Sequence, residues 1–295
     1  MGKKAMEEKQ MTYIEVYEKN YTTLDFIIND NRAIKLAYKH KLYIDNIVNS
    51  FEFYFSAVKP LVINGWSIVD YSTPRFHQVI GYDLHPVMFA SLAEPVNTID
   101  QYLDFAELKD GDVALDLGAY SGLSAIFFRE MVGKSGRVIA VEPDPVNLNT
   151  VITNLAYYQR LIKKEIEVLA GAVWEHNDGI DFSMESSMGS TAVQYVGRRA
   201  DCAIVPTYTL SKIAEMYDLK KIDFIKCDIE GGETVVFKDL EFFKKFKPRI
   251  IIEAHNIREV SVVHEVVAQM SALGYRVRLA KQENFDELPL VECYP

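Results

Sequence analysis

The chain has 295 residues, 49% of them hydrophobic and 25% charged, enough material for one substantial core with an appendage. Its formal net charge of -10, counting histidine as neutral, opposes a nonspecific hold on phosphate backbones, so no nucleic-acid partner is expected. The three cysteines, Cys202, Cys227 and Cys293, are odd in number and far apart, which argues against a disulfide framework or a cysteine zinc site and fits a reducing cytoplasm.

The opening stretch MGKKAMEEKQ is charged and leads into no apolar run of signal-peptide length. No later run approaches the roughly 20 residues of a membrane span. Neither export nor a membrane partner is expected, and a cytoplasmic location is. Met6 stands where a myristoylation motif needs Ser or Thr.

Residues 11–58 set Tyr, Ile, Leu and Phe at helical spacings, as in LYIDNIVNSFEFYF. An N-terminal helical appendage over 1–60 is therefore expected, ending at Pro60 and either capping the main domain or joining two copies as a homodimer. A lead-in segment over 61–107 follows, with strands broken by Gly65 and STP and then a helix in EPVNTIDQYLDFAEL.

From 108 to 295 the pattern alternates. Strands are expected at 112–117, 137–142 and 165–172, with helices at 122–132 and 145–158 between them. After a weakly patterned interlude at 178–208, either a strand pair or a loop, come helix 210–217, strand 222–229, helix 233–246, strand 249–254, helix 259–273 and strand 275–280. Near-continuous apolar strands alternating with helices predict a parallel, doubly wound sheet, in which ligands bind beyond the carboxyl ends of the strands.

The stretch DLGAYSGLS closes the first of these strands. Gly118 and Gly122 lie on a strand-to-helix turn, where glycine permits positive φ and close approach of a ligand to free helix N–H groups. Glu142 ends the second strand twenty residues beyond Gly122, where a nucleoside-binding fold places an acid for the ribose hydroxyls. Asp144 and Pro145 read as the N-cap and first residue of the next helix.

A nicotinamide dinucleotide and S-adenosylmethionine both put a ribose against such an acid, and the first turn separates them. A pyrophosphate wants G-x-G-x-x-G without a carboxylate, whereas Asp116 precedes these glycines and suits an ammonium, directly or through water. An NAD-dependent oxidoreductase is thus the alternative reading. A silent scaffold that keeps the fold is another.

The segments ALDLGAYSG, AVEPDPVN, AGAVWEHNDG, YTLSKI and IDFIKCDIEGGE, in this order, resemble the FkbM family of S-adenosylmethionine-dependent methyltransferases over roughly 110–255. The family typically has Asn at the position of Tyr120 and an acid at that of Ser211. The resemblance implies a seven-stranded, mostly parallel, Rossmann-like α/β sheet and methyl transfer to a hydroxyl of a sugar, polyketide or related small molecule or glycan. By position it places the cofactor turn at Asp116, Gly118, Ala119, Tyr120 and Gly122, the ribose acid at Glu142, an adenine wall at Ala172 and Val173, and a further acid at Asp228. Trp174 either stacks on the adenine or packs. The sequence DIEG stands where amino-methylating enzymes on nucleic acids carry Asp or Asn and paired prolines.

In IDFIKCDIE, period-2 alternation puts Lys226, Asp228 and Glu230 on one face of a strand, an arrangement that needs pairing, a ligand or an open strand end. A Lys226–Glu230 ion pair is the structural alternative to a catalytic set. Glu233 starts the next helix, where a carboxylate is favoured in any case. In RIIIEAH, Glu253 and His255 likewise share a face. Methyl transfer from an activated donor needs alignment and removal of a proton, for which His255 or Asp228 is the candidate base. A divalent cation on Asp228, Glu253 and His255 is a further alternative. His77 and His85 read as ordinary turn residues.

Overall fold

The apolar run VALDL forms β1 (Val113–Leu117), all five of whose residues are buried, at the middle of a seven-stranded sheet. The structure is a computed structural model describing residues 14–28, 30–198, 200–255, 262–282 and 285–295. The other strands are β2 (Arg137–Glu142), β3 (Glu167–Ala170), β4 (Phe224–Cys227), β5 (Arg249–Glu253), β6 (Arg276–Gln282) and β7 (Phe285–Tyr294), in the spatial order β3-β2-β1-β4-β5-β7-β6. Every pairing is parallel except those of β7, which runs antiparallel between β5 and β6.

Alternation along the strands feeds two cores. Ala114, Ala140, Phe224 and Ile251 face helix Asn97–Ala106, α1 (Leu123–Met131) and α2 (Pro145–Ile162). Leu115, Val141, Ile225, Cys227 and Ile252 face the opposite layer, with helices Leu210–Met216, Leu240–Phe246 and Val262–Ala272. Burial on both faces explains why the strands read as continuous apolar runs. The connections leave β1 in one direction toward β2 and reach β4 on its other side. A crevice therefore opens beyond the carboxyl ends of β1, β2 and β4.

The appendage departs from expectation. Residues 1–13 lie outside the described residues, and the next three elements are strands, Ile14–Lys19, Thr23–Ile28 and Arg32–Ala37, paired as an antiparallel meander. Among the described residues of this segment, helical turns occupy only Tyr38–Tyr43, Ile44–Asn49 and Phe51–Ser56. The helical spacings read over 11–37 mix two strands across tight turns, where Asn20, Tyr21 and Asn31 take positive φ. Within Thr23–Ile28 the buried apolar residues Leu24, Phe26 and Ile28 keep period 2, while Asp25 between them is buried against Lys19.

Pro60 does not separate two units, because Leu61–Ile63 and Trp66–Tyr71 complete the same five-stranded sheet, the latter parallel to Arg32–Ala37. Phe26, Ile34 and Tyr71 belong to one continuous buried cluster with Ile126 and Phe128 of α1. The N-terminal sheet is thus packed on the helix Asn97–Ala106 side of the main sheet.

Two smaller expectations are also corrected. The helix read over 233–246 is two helices, Glu233–Val236 and Leu240–Phe246, because the Asp239 carboxylate accepts from Phe242 N and starts the second. The interlude is a three-stranded sheet of Ile180–Met184, Thr191–Ala192 and Asp201–Val205. The helix expected over 259–273 is described from Val262, so 259–261 lie outside the described residues.

Candidate active site

After β1 the chain turns through Gly118 at φ +78° and Tyr120 at φ +51° before α1 begins behind Gly122 at φ +77°. Gly118 is required by contact as well as by φ: a Cβ there would stand 1.8 Å from the Asp228 carbonyl oxygen. Tyr120 tolerates its left-handed backbone because it is anchored at both ends. Its N–H donates to Glu142 Oε2 at 2.8 Å, and its hydroxyl donates to Leu92 O at 2.6 Å.

Glu142 is 4% exposed. Its other oxygen, Oε1, accepts from Asp144 N at 2.9 Å and from Asn147 Nδ2 at 3.5 Å, so the carboxylate is oriented before any ligand arrives. Burial pushes its pKa up to about 7 against the two backbone N–H donors. A ribose diol donates to the ionised form. Affinity for S-adenosylmethionine or its demethylated product is therefore expected to fall about tenfold for each pH unit below about 7 and to level off above it. Calorimetry across pH checks this, and Glu142→Gln should bind more weakly with the slope gone.

These groups line a cavity that is partly open to solvent. Gly118, Ala119, Tyr120 and Glu142 form one side, Ala172, Val173 and Trp174 an apolar side, and Lys226, Asp228, Glu230 and Glu253 the far end. An oriented carboxylate, a backbone cradle without a Cβ, an apolar wall for a base and an acidic end for a cationic tail fit the nucleoside, sulfonium and ammonium of S-adenosylmethionine.

Asp116 departs from the sequence reading. It is fully buried and does not line the cavity. Its carboxylate accepts from Ser124 Oγ at 2.6 Å and pairs with Lys226 Nζ at 3.4 Å, so it supports the turn from behind and has no direct contact to offer an ammonium. Gly122 is also absent from the wall and packs against Val151 and Leu155 of α2.

Lys226 pairs with Asp116 and with Asp228, at 3.2 Å, and donates to Gly118 O at 2.8 Å; its partners are not Glu230. Burial would lower its pKa, but Asp228 and Asp116 outweigh that and raise it. It stays charged and ties β1, β4 and the glycine turn together.

Glu253 and His255 reach the same end of the cleft from β5. Tyr102 of helix Asn97–Ala106 donates to Glu253 Oε2 at 3.0 Å. His255 Nδ1 meets Glu233 Oε1 at 3.0 Å, while Nε2 lies 3.5 Å from Glu230, 3.7 Å from Glu253 and 3.8 Å from Asp228. Burial would lower the imidazole pKa, yet the carboxylates of Glu230, Glu233 and Glu253 raise it well above its ordinary value. These carboxylates favour the charged ring, which weighs against His255 as the general base and leaves Asp228 and Glu230 as the other groups at that end of the cleft. Period 2 put Lys226 with Asp228 and Glu253 with His255 on one face each, and the parallel pairing of β4 with β5 brings the two pairs to one end of the cleft.

A second cavity, also partly open to solvent, adjoins the first and shares Glu94, Met188, Glu230 and Glu253 with it. Its outer wall is Leu42, Tyr43, Asn46 and Tyr54 from the N-terminal helical turns. Sequence reasoning missed Glu94, Tyr102 and these four residues. The only available signal was the polar and aromatic residues of EPVNTIDQYL on a helix leading into β1. Burial together with Glu253 and Asp228 pushes the Glu94 pKa up to about 8.

The interlude separates the two cavities. Asp144 caps α2 and accepts from Ser186 N and Ser190 Oγ at 3.0 and 2.7 Å, while Asn147 Nδ2 donates to Ser187 O at 2.9 Å. On the other side the Tyr43 hydroxyl accepts from Gly189 N at 2.7 Å. Asp144 is architectural, as its capping position implies. No described helix is long and apolar enough to cross a membrane.

A search of curated proteins gives no match. Among solved structures, the chain is similar to a methyltransferase FkbM from Methylobacillus flagellatus KT, at 19% identity over 66% of this chain and 50% of that one, with a TM-score of 0.48. It is also similar to a fibrillarin from Aeropyrum pernix in complex with natively bound S-adenosyl-L-methionine (13% identity, 96% and 99% coverage, TM-score 0.41). A S-adenosylmethionine-dependent O-methyltransferase from Thermotoga maritima gives 15% identity, 68% and 65% coverage and a TM-score of 0.39. The aligned part thus spans half the length of the first of these proteins. The methyltransferase FkbM domain model matches residues 116–277, from the end of β1 into β6 and so over more than half of the 295 residues. The chain belongs to the FkbM methyltransferase family, and its cofactor is S-adenosylmethionine.

Proposed function

We propose that the protein transfers a methyl group from S-adenosylmethionine to a hydroxyl of a small molecule or glycan, a sugar or polyketide hydroxyl being the acceptor class that the family resemblance suggests. The observation that supports this reading most is the pair of adjoining cavities, one with the nucleoside features and the other reaching the same carboxylate-rich end from the opposite side. An acceptor seated between Tyr43, Tyr54 and Glu94 would present its hydroxyl at the shared wall of Glu230 and Glu253.

The cofactor supplies an already activated methyl group. What the chain must add is alignment and a destination for the hydroxyl proton. Glu230 is placed for the second task, since it lines both cavities and its backbone is held at φ +55° in the turn after β4, where its carbonyl accepts from Thr191 Oγ1. Lys226 and Asp228 serve alignment at the cofactor side.

The test is transfer of labelled methyl groups from S-adenosylmethionine into a hydroxyl-rich metabolite extract. Glu230→Gln is expected to lower kcat about 10²- to 10⁴-fold while cofactor affinity measured by calorimetry stays within about twofold. Wild-type turnover in that variant, with chemistry rate-limiting, removes Glu230 from the reaction. Binding of NADH with no binding of S-adenosylmethionine would return the oxidoreductase reading, and cofactor binding without transfer to any acceptor would favour a scaffold. A cytoplasmic site of action and action without a nucleic-acid or membrane partner complete the proposal. A homodimer stays part of it, through the N-terminal helical turns; size-exclusion chromatography with light scattering checks it.

A further inference from the structure

Asp228, Glu253 and His255 each offer one ligand atom, and these atoms lie within 4.8 Å of one another; Asp228 lines the first cavity, His255 the second, and Glu253 both. The atoms facing inward are Asp228 Oδ1, Glu253 Oε1 and His255 Nε2. In each side chain the other polar atom is held by a residue outside the trio. Lys226 pairs with Asp228 Oδ2 at 3.2 Å, the Tyr102 hydroxyl donates to Glu253 Oε2 at 3.0 Å, and Glu233 Oε1 takes His255 Nδ1 at 3.0 Å. Glu233 is itself fully buried, so the ring is anchored from the protein interior.

This is the outer shell that metal-binding side chains require. A carboxylate on the far nitrogen of a histidine fixes its tautomer and turns the lone pair of the near nitrogen toward the ion. The inward separations support the same reading. Nε2 is 3.7 Å from Glu253 and 3.8 Å from Asp228, too long for hydrogen bonds. Neighbouring ligands of an ion with bonds of about 2.0–2.2 Å stand about 3.0–3.5 Å apart, so closing on an ion needs movements of well under 1 Å. Lys226 is already shared between Asp116 and Asp228.

We propose that Asp228, Glu253 and His255 bind one divalent cation, of the Mg²⁺ or Mn²⁺ class, at the boundary between the cofactor and acceptor cavities. Two carboxylates and one imidazole on a part-buried, partly open site suit such an ion, which would keep several waters and exchange one for the acceptor hydroxyl. A ligating imidazole is neutral, so any proton on Nε2 leaves to solvent when the ion binds. A hydroxyl bound to it becomes more acidic, and its proton passes to Glu230, so no other co-reactant is needed. The role in transfer rests on the reading of the function above; the binding site does not.

The experiment is a titration of the full chain, stripped with a chelator, with Mn²⁺ followed by electron paramagnetic resonance, where the signal of free Mn²⁺ is lost on binding. One ion per chain is expected. Glu253→Gln and His255→Ala should each weaken it about 10- to 100-fold, while Glu107→Gln, on the surface, leaves it unchanged. Calorimetric binding of S-adenosylmethionine by each variant reports that the fold persists. No Mn²⁺ binding at millimolar ion by protein that binds S-adenosylmethionine overturns the proposal and leaves the methyltransferase reading intact. Binding of equal strength in the wild type and in both folded variants overturns it as well, since the ion then sits elsewhere.

Discussion

Lys226→Met is expected to destabilise the protein by about 3–5 kcal/mol, the cost of leaving buried carboxylates without their cation. The side chain of Lys226 is 5% exposed, that of Asp116 is fully buried, and the two lie 3.4 Å apart on neighbouring strands. Methionine fills much of the same volume, so the loss reports charge and the hydrogen bond to Gly118 O more than packing. The pH dependence distinguishes this cause from a cavity. Burial already raises the Asp116 pKa, and removing Lys226 raises it further. A protonated Asp116 needs no counterion, so the deficit of the variant should narrow as pH falls. Urea unfolding at neutral pH and at about pH 5 tests both statements; a deficit that is constant with pH would show that Asp116 is not the residue left uncompensated.

Gly118→Ala is the second large effect, expected at about 2–5 kcal/mol. An alanine at φ +78° costs about 1–2 kcal/mol, and overpacking adds about 1–3 kcal/mol, because the new Cβ meets the Asp228 carbonyl oxygen at 1.8 Å and the backbone must give way. Asp228 moves with it, so cofactor affinity should fall too. Gly65→Ala is the control. Its φ is +82°, but nothing lies within 4 Å of the added carbon, so only the conformational part is expected. Thermal unfolding of the two variants side by side measures the difference; equal losses would mean that the approach of Asp228 to the turn does not limit this position.

The sheet was legible in the sequence because β1, β2, β4 and β5 are largely buried on both faces and read as apolar runs, with α1 and α2 long enough to show their own period. Glu142 and the glycine turn were legible for a related reason, since strand ends and turn residues sit at spacings set by local geometry. The last strand was not. Phe285–Tyr294 carries Pro289, and its place between β5 and β6 depends on pairing with strands distant in the chain. The N-terminal sheet was missed likewise: its two-residue period is interrupted by turns every few residues, and the parallel partner of Arg32–Ala37 comes more than thirty residues later.

The catalytic end divides the same way. Alternation on β4 and β5 was enough to put Lys226 with Asp228, and Glu253 with His255, on one face each. Parallel register, with Lys226 opposite Asp116 and Ile251, is what makes those faces meet. The sequence alone determined the family, the place of the glycine turn and the identity of the charged residues, all of which depend on neighbours within a strand or turn. Only the tertiary structure decided that Asp116 lies behind the cleft, that four carboxylates surround the imidazole of His255, and that Tyr43, Tyr54 and Glu94 wall the second cavity. Each of those outcomes comes from burial and charge contributed by residues far away in the chain, which local spacing does not encode.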